Sequence, residues 1–519
     1  MAHSVTLSPP AVQAISQWLT QQRWYGAKGM DVARIDLTSL HPFALDCPLT
    51  IQLLRITLTP RTTTESPLPA REELYWTAWP AGFEPALCTS SSDIPPEITA
   101  TPEFTAALWQ AARHGQQHWQ SPAWVSRDNS SPPPVGKLIH LEQSNSSWVF
   151  GHERADPGTK KDSPAANRPG ILKLYRKLAT GENPDAEICR YLQQSNAQVC
   201  PPLWAVLQIE LATGLATWGM LCEYLPDCRA AWDVMGDLLH RVWSAATSSA
   251  SGLKQLPTNT AELATFCQAL AQKTAQMHLA LARTNLPAFG TANWQSLNRA
   301  LLADTQATYA RQQFAILAHS LPQLPLATQD LANELLTRQT KLLDRFATWN
   351  MFTDLGERIR IHGDYHLGQV LVETSELGSG QNPPTAEKLA EHLWVIDFEG
   401  EPARPLADRQ AKKSPLQDVA GMLRSLHYAV TQLGIAQGAD NATVRYTQSL
   451  YLILAQVFWE TYQQSLASSG LLPKEPKPLL DLLILEKAVY ELGYELQNRP
   501  DWVAVPLTGL LSLLADPVD

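Results

Sequence analysis

The order of segments predicts an α+β protein, in which a small sheet domain with one helix precedes a large, mainly helical domain. Three observations carry that expectation. Short β-branched and aromatic runs fill residues 135–225 (KLIHLE, SSWVFG, ILKLYRKL, PLWAVLQIE and WGMLCEYL), with one helical stretch, Pro184–Ser195, among them. Beyond Leu225 the pattern turns helical, broken by two hydrophobic runs, QVLVE and HLWVIDFEG. Ahead of both, strand-like ITLTP and ELYWTAWP mix with helical AVQAISQWLTQQRW and EFTAALWQAARHGQQHW. A chain of 519 residues is too long for one core, which predicts domains at 1–125, 126–222 and 223–519. The Ser/Pro-rich stretch Ser126–Pro134 is read as the first linker or long loop.

Composition removes several function classes. A net charge of −10 argues against a broad nucleic-acid surface, which needs a basic face, but leaves room for a local nucleotide site. No run approaches the ~20 apolar residues of a membrane span. The start, MAHSVTLSPPAVQ, lacks the basic and apolar sections of a signal peptide, so a cytoplasmic location is expected. Seven cysteines without metal-type spacing read as reduced thiols; Cys222 and Cys228, six apart, fit no zinc ribbon. Seventeen tryptophans are many for this length; aromatic rings stack on sugars, but most are expected to be core. Arg154–Pro169, Ser244–Thr260 and Thr374–Glu391 are polar and aperiodic, so solvated loops are expected there.

The strongest chemical signal is IHGDYHLGQVLV, Ile361–Val372, followed by VIDFEG, Val395–Gly400. Phosphoryl transfer to a hydroxyl needs a carboxylate within reach of that hydroxyl and oxygen ligands for Mg²⁺ on the nucleotide phosphates. Kinases provide a catalytic-loop Asp, an amide five residues on, and a second Asp opening a DFG-type motif. Here Asp364 stands as the base, Gln369 follows at that spacing, and Asp397 opens Asp-Phe-Glu-Gly, so Gln369 and Asp397 are the expected metal ligands. Gln in place of Asn keeps an amide oxygen on a longer arm. His362 is expected to pack and hydrogen-bond the loop, and His366 to help shape the acceptor site.

Upstream, Lys173 lies in the strand ILKLYRKL and Glu187 in a helix that Pro184 can start. A strand Lys paired with a helix Glu is how kinases hold the α- and β-phosphates. No G-x-G-x-x-G precedes Lys173. The segment EQSNSSWVFG offers backbone N–H groups with Ser144, Asn145, Ser146 and Ser147 instead. WGMLCEYL stands where an interlobe hinge would present backbone groups to adenine, at Glu223 and Tyr224. Asp418 either accepts N–H bonds from the catalytic loop or caps its own helix. Arg424 either pairs with a carboxylate or is a solvated helix residue. Near the end, Lys487, Tyr490, Glu491, Tyr494, Glu495 and Asn498 recur at helical spacing, a polar and aromatic face suited to a sugar or simply packed against the core.

Together these stretches resemble the bacterial maltokinases. The resemblance rests on WLTQQRWYGAKG (18–29), EQSNSSWVFG (142–151), ILKLYRKL with NPDAE (171–187) and TAQMHLALA (274–282). It continues through HGDYHLGQ (362–369), DFEGEPARPLADRQAKKSPLQDVAGMLRS (397–425) and KAVYELGYELQNRP (487–500). The resemblance implies a protein-kinase-like bilobal fold with an N-terminal cap subdomain and a helical lobe carrying the sugar site. It implies ATP and Mg²⁺, phosphorylation of maltose to maltose 1-phosphate, and association with other α-glucan enzymes. It points to Tyr490, Glu491 and Tyr494 as sugar contacts, and His366, Glu399 and Lys487 stand beside them as further candidates. Related kinases act on glucosamine and other sugars, so glucosamine is the alternative acceptor. The loops at 154–169 and 374–391 depart from the family pattern.

Overall fold

A computed structural model describes residues 4–28, 30–40, 51–60, 70–80, 83–114, 119–121, 134–139, 145–151, 168–248, 253, 260–294, 299–376, 384–401, 404–438 and 440–515. The chain divides into two compact units. One comprises Met1–Gln194, Pro201–Pro226 and Glu401–Arg409; the other comprises Ser195–Cys200, Asp227–Gly400 and Gln410–Asp519.

The first unit contains β1 (Ser4–Thr6), α1 (Pro9–Gln21), β2 (Met30–Leu40), β3 (Ile51–Pro60), β4 (Arg71–Ala78), α2 (Pro102–His114) and β5 (Trp119–Gln120). There follow β6 (Gly136–Ile139), β7 (Asn145–Phe150), β8 (Gly170–Tyr175), β9 (Lys177–Leu178), α3 (Pro184–Gln194), β10 (Leu203–Leu211) and β11 (Gly214–Glu223). Two antiparallel sheets form, a five-stranded β1-β2-β3-β4-β9 and a six-stranded β5-β10-β11-β8-β7-β6. The period-two alternation of β3 builds both cores. Ile51 and Leu53 face the cluster around Trp76, Phe104, Trp148 and Trp218, whereas Leu54, Ile56 and Leu58 face α1. On α1, Ala11, Ala14, Ile15, Trp18 and Leu19 follow the helical period and form its buried stripe. Each large side chain buried this way contributes roughly 1.5–3 kcal/mol. Trp18, Trp24, Trp76, Trp79, Trp148, Trp204 and Trp218 are all core, so the tryptophan count reflects packing in this unit.

The second unit contains β12 (Cys228–Ala230), α4 (Ala231–Ser248), α5 (Ala261–Ala282), α6 (Arg299–Ser320), α7 (Leu326–Thr337) and α8 (Gln339–Ala347). Then come β13 (Val370–Glu373), α9 (Ala386–Glu391), β14 (Leu393–Val395), α10 (Leu416–Ala436), α11 (Asn441–Leu466), α12 (Pro476–Asn498) and α13 (Ala504–Leu513). The two hydrophobic runs inside the helical region are β13 and β14, paired antiparallel, with β12 on the other side of β13. Helix α10 is apolar on almost every side and is packed by α4, α11, α12 and α13.

Two of the expected loops contain helix at one end. Residues 244–248 continue α4, and 386–391 form α9, where the Thr385 hydroxyl accepts the Lys388 N–H at 3.3 Å and caps a run of good helix formers. The stretch 126–133, the segment 154–167, much of 249–259 and 377–383 lie outside the described residues. Among the described residues, no helix is long and apolar enough to cross a membrane.

Candidate active site

The loop that carries Asp364 is held from below by one face of α10. Asp418 in the first turn accepts the N–H groups of His362 at 2.8 Å and Gly363 at 2.9 Å, one on each carboxylate oxygen. Ser425 accepts the Leu367 N–H at 3.1 Å. Between them, a Cβ on Gly421 would come within 2.5 Å of the Tyr365 carbonyl oxygen, so only glycine lets the helix pass this close. Positions 418, 421 and 425 are three and four residues apart and therefore share one helix face. Of the two roles open to Asp418, the loop-binding one is realised; Pro415 stands at the N-cap of α10 without a side-chain cap bond. His278 Nε2–H donates to Asp418 at 3.1 Å, and its Nδ1 meets the Tyr462 hydroxyl at 2.8 Å. Burial alone would raise the Asp418 carboxyl, but the His278 hydrogen bond and charge, with the loop N–H groups, hold it below the usual carboxylate range.

Inside the loop, His362 has the structural role expected of it. Its Nε2–H donates to the Ile396 carbonyl at 2.9 Å and its Nδ1 accepts the Asp364 N–H at 3.3 Å, which fixes the tautomer. The ring packs 4.9 Å from Phe398. His366 Nδ1 accepts the Gly368 N–H at 3.0 Å, and burial lowers its pKa, so it presents a neutral Nε2–H. Amid these buried neighbours the Asp364 side chain keeps 33% exposure, which leaves a carboxylate open to a reacting hydroxyl.

Strand β13 leads from this loop to Asp397. The Gln369 carbonyl accepts the Ile396 N–H at 3.0 Å, and Gln369 Nε2 donates to Asp397 Oδ2 at 3.1 Å. Asp397 has φ +65°, a left-handed conformation that Asp tolerates better than most residues and that functional sites often retain. Asp397 and Glu399 bring carboxylate oxygens within 4.8 Å of each other. Two carboxylates offer oxygen donors, which suit Mg²⁺ better than a softer metal, while Gln369 meets Asp397 through its amide nitrogen.

Helix α12 supplies a group whose contact the sequence did not predict. Lys487 Nζ lies 3.4 Å from Asp364 Oδ1 and 4.7 Å from the centre of the Tyr490 ring. Glu491, expected to face a sugar, pairs with the buried Arg424 at 2.7 and 2.8 Å. That settles Arg424 as a paired residue and commits the Glu491 charge to neutralising it. Tyr494 is 40% exposed, beneath the Arg499 guanidinium.

In the first unit, Lys173 is buried on β8 and its Nζ donates to a helix carboxylate, as expected. The carboxylate 3.0 Å away is that of Asp185, however, where Glu187 was expected. The Asn183 side chain, accepting the Asp185 N–H at 3.0 Å, starts the helix at a phase that puts Asp185 there. The Tyr175 hydroxyl adds a bond to Asp185 at 3.2 Å.

The serine segment divides by strand face. Asn145 pairs with Tyr175 and Ser147 with Lys173, so both share the Lys173 face, and the buried Ser147 hydroxyl has no hydrogen-bond partner among the described residues. Ser146 points to the opposite face, where its hydroxyl accepts from Arg176 at 2.7 Å; as a side-chain phosphate ligand it is therefore corrected. Ser144 lies outside the described residues. For the backbone N–H groups, the hinge expectation also needs correcting. The Glu223 N–H donates to the Pro202 carbonyl and the Tyr224 N–H to the Pro169 carbonyl, each at 2.9 Å, while the Glu223 carboxylate binds Arg168 at 2.9 and 3.1 Å. Strand β11 keeps partners on both sides to its last residue, which occupies the N–H groups meant for adenine.

No family model matches the chain. A glucosamine kinase from Streptacidiphilus jiangxiensis is 26% identical over 393 residues, 75% of each chain. One from Mycolicibacterium smegmatis is 25% identical over 407 residues, covering 76% of this chain and 82% of that one. Among solved structures, a glucosamine kinase in complex with glucosamine, ADP and inorganic phosphate superposes with a TM-score of 0.59 at 17% identity, covering 96% of this chain and 99% of that one. The fold is shared. The chain thus has the α+β, protein-kinase-like fold that its motif order predicts.

Asp185, His278, Gly421 and Ser425 complete the supporting set that sequence reasoning passed over. Only the last two had a local signal, the i, i+3, i+7 spacing of Asp418, Gly421 and Ser425 within SPLQDVAGMLRS.

Proposed function

We propose that the protein is an ATP-dependent sugar kinase with glucosamine as its acceptor. The observation that carries this reading is the Asp364 loop, pinned to α10 at Asp418 and Ser425, with a partly exposed carboxylate beside Lys487 and the neighbouring carboxylates of Asp397 and Glu399 in the same unit. The curated relatives, both glucosamine kinases matched over three quarters of this chain, support the amino-sugar acceptor. Maltose is the second reading, favoured by the motif set that runs from WYGAKG to KAVYELGYELQNRP.

In this mechanism Lys173, oriented by Asp185, binds the donor phosphates, with Asn145 and Ser147 on the same sheet face. Mg²⁺, when bound by Asp397, Gln369 and Glu399, would neutralise charge on the phosphate oxygens. Asp364 orients the attacking sugar hydroxyl and takes its proton as that oxygen bonds the γ-phosphorus and the bond to ADP breaks. Lys487 offsets negative charge beside Asp364, and the neutral His366 Nε2–H is a donor for a sugar oxygen. Tyr490 and Tyr494 supply apolar ring surface on α12.

The purified protein, given ATP and Mg²⁺ with glucosamine, maltose, glucose and an aminoglycoside in separate reactions, should release ADP fastest with glucosamine. Transfer to maltose alone would replace the first acceptor with the second, and no sugar-dependent ADP release would overturn the kinase reading. Asp364→Asn should lower kcat by about 10²–10⁴-fold, because an amide cannot take the proton.

A further inference from the structure

One residue, Arg176, separates β8 of the six-stranded sheet from β9 of the five-stranded sheet, so the chain changes sheets there. Its guanidinium, always charged, is only 2% exposed. Nη1 and Nη2 meet the two carboxylate oxygens of Glu97 at 2.7 and 3.0 Å, and Nε donates to the Ser146 hydroxyl at 2.7 Å. The plane lies 4.2 Å from the ring centre of Trp76 and 4.9 Å from that of Trp24. The backbone is fixed too: the Trp76 N–H donates to the Arg176 carbonyl at 3.2 Å and the Trp76 indole N–H to the Tyr175 carbonyl at 2.8 Å. A charge taken out of water this completely is tolerable because every part of the fork has a partner.

The consequence lies in the register of β7. Ser146 is bonded to Arg176 on one face, and the next residue, Ser147, stands on the other face opposite Lys173. The position of the Lys173-face groups of β7 is therefore set from behind. We propose that Arg176 and Glu97 are positioning residues for the nucleotide: they clamp β7 through Ser146 and so fix Asn145 and Ser147 against the donor phosphates. This rests on the ATP reading of the Lys173 face. It gives the first 100 residues, which supply Trp24, Trp76 and Glu97, a part in donor binding without any of them touching the donor.

The full-length protein, as wild type, Ser146→Ala, Ser146→Thr, Arg176→Lys and Glu97→Gln, should be titrated with ADP by calorimetry well below each variant's Tm. KM for ATP and for the sugar should be measured alongside. Ser146→Ala and Arg176→Lys should weaken ADP and raise the KM for ATP about tenfold, with the KM for sugar within about twofold, as loss of one positioned contact predicts. Ser146→Thr, which keeps the hydroxyl, should restore most of the affinity. If Arg176→Lys or Glu97→Gln fails to fold, the two Ser146 variants decide. A folded Ser146→Ala protein with wild-type ADP affinity, or equal rises in both KM values, overturns the proposal. A wild-type protein that binds no nucleotide overturns instead the ATP reading beneath it.

Discussion

Replacing Asp418 by Asn tests whether the Asp364 loop depends on a buried carboxylate beneath it. Asp418 accepts three hydrogen bonds, at 2.8, 2.9 and 3.1 Å, and the two loop N–H groups use different oxygens. Asparagine has one acceptor oxygen, so either the His362 or the Gly363 N–H must face an NH₂ group. Losing one bond to a charged acceptor costs about 1.5–3 kcal/mol, and demoting the others to neutral bonds brings the local cost to roughly 3–5 kcal/mol. That is enough to open the loop without unfolding the unit. Hydrogen exchange followed by mass spectrometry should show faster exchange in peptides spanning 361–369, and kcat should fall about 10²-fold as Asp364 loses its placement. ADP affinity should stay at the wild-type value. The lowered Asp418 pKa gives the linked pH dependence. The unfolded carboxyl binds its proton first as pH falls, so the stabilisation is complete above the unfolded value near 4. It is lost only as pH drops through the still lower folded value. Asp418→Asn with wild-type kcat and wild-type exchange would refute the reasoning.

Three further outcomes are expected. Lys173→Met removes the cation 3.0 Å from the buried Asp185 carboxylate and should cost about 3–5 kcal/mol in denaturant titration. Adding Asp185→Asn should recover stability but not the KM for ATP, and equal recovery of both would exclude the phosphate role of Lys173. Burial lowers Lys273 to about 8 although its Nζ donates to the Gln198 carbonyl at 2.8 Å. The unfolded lysine then holds more protons between pH 8 and its ordinary value near 10.4, so the wild type should gain roughly 3 kcal/mol across that window relative to Lys273→Met; parallel pH–stability curves would contradict this. Lys487→Met removes the cation 3.4 Å from Asp364 and should lower kcat about 10–10²-fold with little change in the KM for ATP, whereas an unchanged kcat would leave Lys487 without a part in transfer.

The sequence by itself determined the element types and the chemical groups. Alternating β-branched runs gave β7, β8, β10, β11, β13 and β14, because the period of two that buries one sheet face is written residue by residue. The strand link between Gln369 and Asp397 was legible for the same local reason: both residues flank the paired hydrophobic runs β13 and β14, which the sequence marks residue by residue. Tertiary structure alone decided the partners. That Asp185 meets Lys173 depends on how α3 docks against β8, and a strand period cannot report that. Ser146 and Ser147 look interchangeable in sequence, and only the pairing of β7 with β8 turns one toward Arg176 and the other toward Lys173. Glu491 was given to a sugar and is held by Arg424, 67 residues away; Lys487 reaches Asp364 across 123. Local propensity acts within a turn or a strand pair, whereas a buried charge takes whichever partner the packing of distant helices brings to it.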